Sequence, residues 1–136
     1  MIQDDLKVFV YGTLKPGGHY WPEFCEGQLA DDPVAAKIRG SLYDLHVGYP
    51  GLILDDRAWV YGFVLKMSSA AAFSRLDYLE GYAPGRPESQ NEYNRLKVPS
   101  FNLSDEPLGQ VWAYEMTPAT RARHQTTLIK DGNWAV

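Results

Sequence analysis

A single cysteine, Cys25, in 136 residues leaves no internal disulfide to staple the chain, and a reducing cytosol is the expected compartment. No apolar run reaches membrane-spanning length, so no membrane partner is expected. The stretch Met1 to Lys7 is polar and acidic, unlike a signal peptide. Charge of positive sign is scarce. Thirteen basic against seventeen acidic side chains give a formal charge of -4, and no basic run could neutralise a nucleic-acid backbone. His19, His46 and His124 have no metal-ligand spacing, so no metal is expected. There is no Gly-x-Ser-x-Gly elbow, which argues against a serine hydrolase. No repeat, low-complexity tract or linker divides the chain, and residues 1–136 are expected to form one domain.

What is present is an ordinary globular composition, 45% hydrophobic and 22% charged, with an excess of aromatics that includes nine tyrosines. Tyrosine suits pleated sheets and equally suits pocket walls. Sheet packing is the first reading of the excess. Six segments read as strands: Leu6 to Tyr11, Val34 to Leu45 with a bend or bulge at Gly40, Gly51 to Leu54, Trp59 to Met67, Glu92 to Phe101, and Leu108 to Met116. Lys15-Pro16-Gly17-Gly18, Gly48-Tyr49-Pro50-Gly51, Asp55-Asp56 and the span from Asn102 to Pro107 supply the turns. One clear helix starts at a cap on Ser68 or Ser69, runs through Ala70-Ala71-Ala72 and stops at Gly81, with Pro84 forbidding continuation. Strands throughout and a single main helix predict an α+β domain, a small mixed β-barrel of about six strands with the helix at its rim.

Two features carry chemistry. At about 100° per residue, Phe73, Leu76 and Glu80 share one stripe of the helix, with Ser74, Arg75 and Tyr78 on the other side. A carboxylate thus stands where the pattern asks for an apolar residue. Burial and the negative end of the helix dipole both disfavour its charged form, which prepares an acid/base for work near neutral pH. The alternative is a solvated glutamate in a frayed last turn. The second feature is the apolar run Val8-Phe9-Val10-Tyr11, which stops at Gly12. The N–H groups of Gly12, Thr13 and Leu14 leave the ladder there and are expected to bind a carboxylate or oxyanion. The loop lacks the Gly-Lys-Ser/Thr ending of a nucleotide-phosphate loop. Cys25 reads as a small buried hydrophobe rather than a nucleophile. Tyr93 and Arg95 lie two apart on a predicted strand and face one side, inward or outward.

The ordered set of blocks is more specific than any of them alone. Val8-Phe9-Val10-Tyr11-Gly12-Thr13-Leu14, Gly40-Ser41-Leu42-Tyr43-Asp44-Leu45, Tyr49-Pro50-Gly51-Leu52 and Val60-Tyr61-Gly62-Phe63-Val64-Leu65 come first. Leu76-Asp77-Tyr78-Leu79-Glu80-Gly81-Tyr82 and Tyr93-Asn94-Arg95-Leu96-Lys97-Val98 follow. Together they resemble the γ-glutamylcyclotransferase-like (AIG2-like) family up to about Glu115, and residues 116–136 match it weakly. The resemblance implies a small barrel with flanking helices and cleavage of γ-glutamyl amides by internal cyclisation, releasing 5-oxoproline. It implies Glu80 as the catalytic acid/base, Tyr11, Gly12, Thr13 and Leu14 as the substrate-binding loop, and Tyr93 near the pocket. The partner is then a small γ-glutamyl compound, and no cofactor is needed. A non-catalytic binding protein of the same fold is the alternative. The leaving amine and the oligomeric state are not specified by these residues.

Overall fold

The computed structural model describes residues 6–135. Most of the Met1 to Lys7 stretch considered for a targeting signal therefore lies outside the described residues. Strand β1 (Lys7–Val10) is followed by a short helix α1 (Trp21–Phe24), then β2 (Val34–Arg39), β3 (Ser41–Asp44), β4 (Pro50–Ile53) and β5 (Trp59–Lys66). Helix α2 (Ala70–Leu79), β6 (Tyr93–Phe101), β7 (Pro107–Met116), α3 (Pro118–Ala122) and β8 (Thr127–Leu128) complete the order.

Five strands close a barrel in the order β1-β5-β2-β6-β7, and β4-β3-β8 form a separate three-stranded sheet. The expected α+β barrel is present, with five strands in place of about six and with two short helices beside the main one. β1 is central. It runs antiparallel to β5, with Phe9 opposite Val64, and parallel to β7, with Val8 opposite Trp112. Both its faces are covered. Val8 and Val10 pack with Leu65, Phe73 and Leu76 under α2, whereas Phe9 and Tyr11 pack with Ile38, Val60 and Val111. A strand buried on both sides reads as a continuous apolar run instead of an alternating one, which is why Val8-Phe9-Val10-Tyr11 stands out in the sequence.

The long segment from Val34 to Leu45 does not bend within one sheet. It leaves the barrel at Gly40 and enters the second sheet as β3. A Cβ at Gly40 would lie 2.9 Å from the Ile53 carbonyl oxygen and from a Leu52 side-chain carbon, so the crossing point has no room for a side chain. The tail, residues 116–136, contributes α3 and β8. β8 pairs with β3, Tyr43 opposite Leu128, and the Lys15 ammonium donates to the Asn133 side chain at 3.0 Å and to the Trp134 carbonyl at 2.5 Å.

Helix α2 matches its sequence signals closely. Ser69 is the cap, accepting from the Ala72 N–H at 3.1 Å. Gly81 has φ of +65°. Its N–H bonds to the Tyr78 carbonyl, and the Tyr82 N–H bonds to that of Asp77. These are the two bonds of a Schellman ending, and they need a left-handed residue at Gly81. Glu80 is thereby fixed as the last residue before the turn. No helix among the described residues is long and apolar enough to cross a membrane.

Candidate active site

The exit of β1, the end of α2 and the start of β4 meet around a cavity of about 150 Å³. Tyr11, Gly12, Thr13, Leu14, Glu80 and Tyr93, the residues singled out from sequence, all line it. The loop after Tyr11 turns tightly. The Lys15 N–H bonds to the Gly12 carbonyl at 3.1 Å and the Tyr20 N–H to the Thr13 carbonyl at 2.9 Å. The Gly12 and Thr13 carbonyls are thus committed to protein. The N–H groups of Gly12, Thr13 and Leu14 have no hydrogen-bond partner among the described residues. Gly12 does not have a left-handed backbone. It is needed for close approach, because a Cβ there would lie 2.8 Å from the Pro50 ring across the cavity.

Two phenols are anchored on main-chain oxygens. The Tyr11 hydroxyl donates to the Tyr114 carbonyl at 2.6 Å, and the Tyr93 hydroxyl donates to the Pro50 carbonyl at 2.9 Å. Tyr93 is therefore an inward residue. Arg95 is turned into the protein as well, behind this cavity, with one guanidinium N–H donating to Asp77 at 2.9 Å.

Glu80 is partly exposed as a residue, yet its carboxyl is enclosed by protein. Desolvation is the main cause that pushes its pKa up, from 4.5 to about 8, and the neighbouring charges of Glu92 and Asp77 act in the same direction. Its surroundings are mostly phenolic. Tyr11, Tyr49, Tyr93 and Tyr114 all have raised pKa values, chiefly through burial, with the Glu80 charge contributing to each. A carboxyl on this site is thus neutral in most molecules at pH 7 and gains or loses its proton close to neutrality, the property a general acid/base requires.

The same shift has a cost in stability. The folded value lies above the unfolded one, so the folded protein holds this proton more tightly than the unfolded chain. Stabilisation by protonated Glu80 is complete below about 4.5 and is lost as pH rises through about 8. At pH 7 and above, Glu80→Gln removes a carboxyl that resists ionisation and substitutes a neutral isostere. Its melting temperature is expected to equal or exceed wild type, by ~3–5 °C for each 1 kcal/mol gained in a domain of this size, with the gain growing between pH 6 and 9. Thermal melts across that range check this, and a fall in Tm at pH 8 would contradict a buried, strained acid.

Three features in and behind the cavity were not read from the sequence. Glu92 lines it beside Glu80, placed by the bond from its N–H to the Gly81 carbonyl at 3.0 Å. Asp77 is buried and bonded to the Tyr114 hydroxyl at 2.7 Å. The tyrosine excess is the third, and its first reading needs revision. Five of the nine, Tyr11, Tyr20, Tyr49, Tyr93 and Tyr114, line this one cavity. Cys25 lies outside it, fully buried, with burial pushing its thiol up to about 12, far from nucleophilic at neutral pH. Among the described residues, no three His, Cys, Asp or Glu side chains gather as metal ligands would.

A five-stranded barrel with a glycine loop and an enclosed acid on the wall of one cavity defines an α+β scaffold. The family model described as gamma-glutamyl cyclotransferase, AIG2-like, matches residues 8–136, and the chain belongs to that family. It is 33% identical over 109 residues to the gamma-L-glutamyl-butirosin B gamma-glutamyl cyclotransferase of Niallia circulans, across 79% of this chain and 66% of that protein. The chain thus spans slightly under two thirds of that relative. Among solved structures, YkqA from Bacillus subtilis superposes with a TM-score of 0.66 at 22% identity, over 94% of this chain and 39% of that one. An AIG2-like protein from Mus musculus superposes with a TM-score of 0.60 at 24% identity, over 85% and 78%. At such identities these two likenesses speak for the fold.

Proposed function

We propose that this protein cleaves γ-glutamyl amides by intramolecular cyclisation, releasing 5-oxoproline and a free amine. The observation that carries the reading is the enclosed Glu80 carboxyl with a pKa near 8, across one cavity from three N–H groups with no partner among the described residues. The substrate's α-amine attacks its own γ-carbonyl carbon and closes a five-membered ring. The two reacting groups are already tethered, so positioning replaces a protein nucleophile. The C–N bond to the leaving amine breaks as the tetrahedral centre collapses. One proton leaves the attacking amine and one reaches the departing amine, so no water is consumed.

Glu80 suits both transfers. An ordinary glutamate is several pKa units too acidic to take a proton from an α-ammonium. Raised to about 8, Glu80 comes far closer to that group, which lowers the cost of the transfer. It then returns the proton to the leaving nitrogen as general acid. The Gly12 to Leu14 N–H groups serve the α-carboxylate or the oxyanion, either of which prefers backbone donors held in place beforehand. The acidic limb of kcat/KM, which reports the free enzyme, should rise with pH up to about 8. The ionisable groups facing Glu80 are Asp77 on its own helix, Glu92 and Tyr93 at the start of β6, Tyr11 after β1, Tyr49 before β4 and Tyr114 on β7.

A panel of γ-glutamyl amides, with 5-oxoproline as readout, tests the reaction. Turnover of at least one member is expected. Its Nα-acetyl derivative should yield no 5-oxoproline, because acylation removes the attacking lone pair. Release of 5-oxoproline derivatives from the acetylated compound, or no turnover across the whole panel, would refute cyclisation and favour a binding protein of the same fold.

A further inference from the structure

We propose that Asp77 is the positioning residue of this cavity: one buried carboxylate ties the Glu80 end of α2 to the Tyr11 to Leu14 loop through Tyr114, with Arg95 holding it in place. Asp77 precedes Glu80 by three residues, so the two lie one above the other on nearly the same face of α2. Asp77 is only 9% exposed. One carboxylate oxygen accepts from the Tyr114 hydroxyl at 2.7 Å and the other from Arg95 at 2.9 Å. The carbonyl of the same Tyr114 accepts from Tyr11 at 2.6 Å. An unbroken line of bonds therefore runs from α2 through β7 to the exit of β1, where the loop begins.

The setting of Arg95 supports this role. Its guanidinium stands 4.5 Å from the Trp112 ring, 4.9 Å from Phe73 and 5.2 Å from Tyr82. Its Nε is buried without a hydrogen-bond partner. The rings and the single bond to Asp77 hold the cation beside that carboxyl, at the expense of its own hydrogen bonding; burial pushes the Asp77 pKa up, and the Tyr114 bond and the Arg95 charge oppose that rise. Buried ion pairs contribute little to stability compared with apolar packing of the same volume. A pair with an unsatisfied donor, one helical turn from the acid, is better accounted for by what it orients. Charge adds a second effect, since Asp77 acts with Glu92 to favour the protonated form of Glu80.

The proposal rests on the reading of Glu80 as acid/base for its kinetic test alone. Tyr114→Phe cuts the line and leaves every charge in place. It is expected to lower kcat ~10-fold or more with Tm held within a few degrees, since small misplacements of reacting groups are costly. Amide hydrogen exchange at Lys15 and Tyr20, whose N–H groups bond to the Gly12 and Thr13 carbonyls of the loop, should speed up. Asp77→Asn leaves Arg95 without its counter-charge and will lower Tm, so its readout is the 13C titration of the Glu80 carboxyl below the melting range. That titration should move down from about 8, with Glu92 and the surrounding phenols unchanged. The double variant should cost no more in kcat than the worse single one, because both act on one line. Wild-type kcat and loop exchange in Tyr114→Phe, or a Glu80 titration unmoved in Asp77→Asn, would overturn the assignment. If wild type forms no 5-oxoproline from any γ-glutamyl compound, the catalytic reading fails instead, and the exchange and titration experiments still decide the role of Asp77.

Discussion

Glu80→Gln is expected to lower kcat/KM for the best γ-glutamyl amide by ~10²–10⁴, the usual range for removing a general acid/base. The substitution is nearly isosteric, and the backbone of residue 80 is set by the Schellman ending at Gly81 rather than by its side chain. The fold should therefore persist. Substrate binding should survive, because the loop N–H groups are untouched, so the loss should appear in kcat more than in KM. A full kcat and KM determination with a circular-dichroism melt on the same preparation checks this. A variant that keeps more than half of wild-type turnover would remove Glu80 from the chemistry. Glu92, the other acid on the cavity wall, would then take its place as the group to test.

Gly12→Val should lower kcat/KM by ~10²-fold or more, on the scale expected when a substrate is displaced by about an ångström. The reason is local. Even the first carbon of a side chain would stand 2.8 Å from Pro50 Cδ and 2.9 Å from Cγ, closer than any relaxed carbon–carbon contact. Either the loop or β4 must retreat, and both line the cavity. Thr13→Val keeps the N–H and nearly the same volume, and Thr13 is only partly buried. It should stay within several-fold of wild type if the loop works through its backbone. Rate constants for the two variants on one substrate separate the cases. Full activity in Gly12→Val with a loss in Thr13→Val would assign binding to the Thr13 hydroxyl.

Local signals were legible in the sequence and distant ones were not. Ser69, Gly81 and the Phe73–Leu76–Glu80 stripe obey rules that act within a few residues, and they predict α2 and the direction of Glu80. The run at β1 is legible because both its faces are covered. The change of sheet at Gly40 is not, since it depends on the approach of Ile53 and Leu52. Nor is β8, two residues long and paired to β3. Asp77 sits between Leu76 and Tyr78 and reads as an ordinary surface acid. Its burial is decided by Arg95, 18 residues away, and Tyr114, 37 residues away. Glu92 reads as the outer end of a strand until its N–H is seen to pair with Gly81. The pairing of Tyr93 and Arg95 on one strand left their direction open. The structure answers it with two different environments, Pro50 for the phenol and Asp77 for the cation.

Pro50 has a consequence for how such a protein can diverge. Its ring abuts Gly12, its carbonyl receives Tyr93, and it is the first residue of β4 in the second sheet. The part of the cavity nearest the loop is therefore braced by backbone atoms from two independent ladders, and drift there disturbs both sheets at once. Glu92 is exposed, and Tyr20 and Tyr49 are partly so; among the described residues, none of the three has its side chain tied to a main-chain oxygen as Tyr11 and Tyr93 do. Replacements at those rim positions cost the scaffold little. A lineage built on this frame would keep its grip on the common head of its ligands while the remainder of the ligand changes from one descendant to the next.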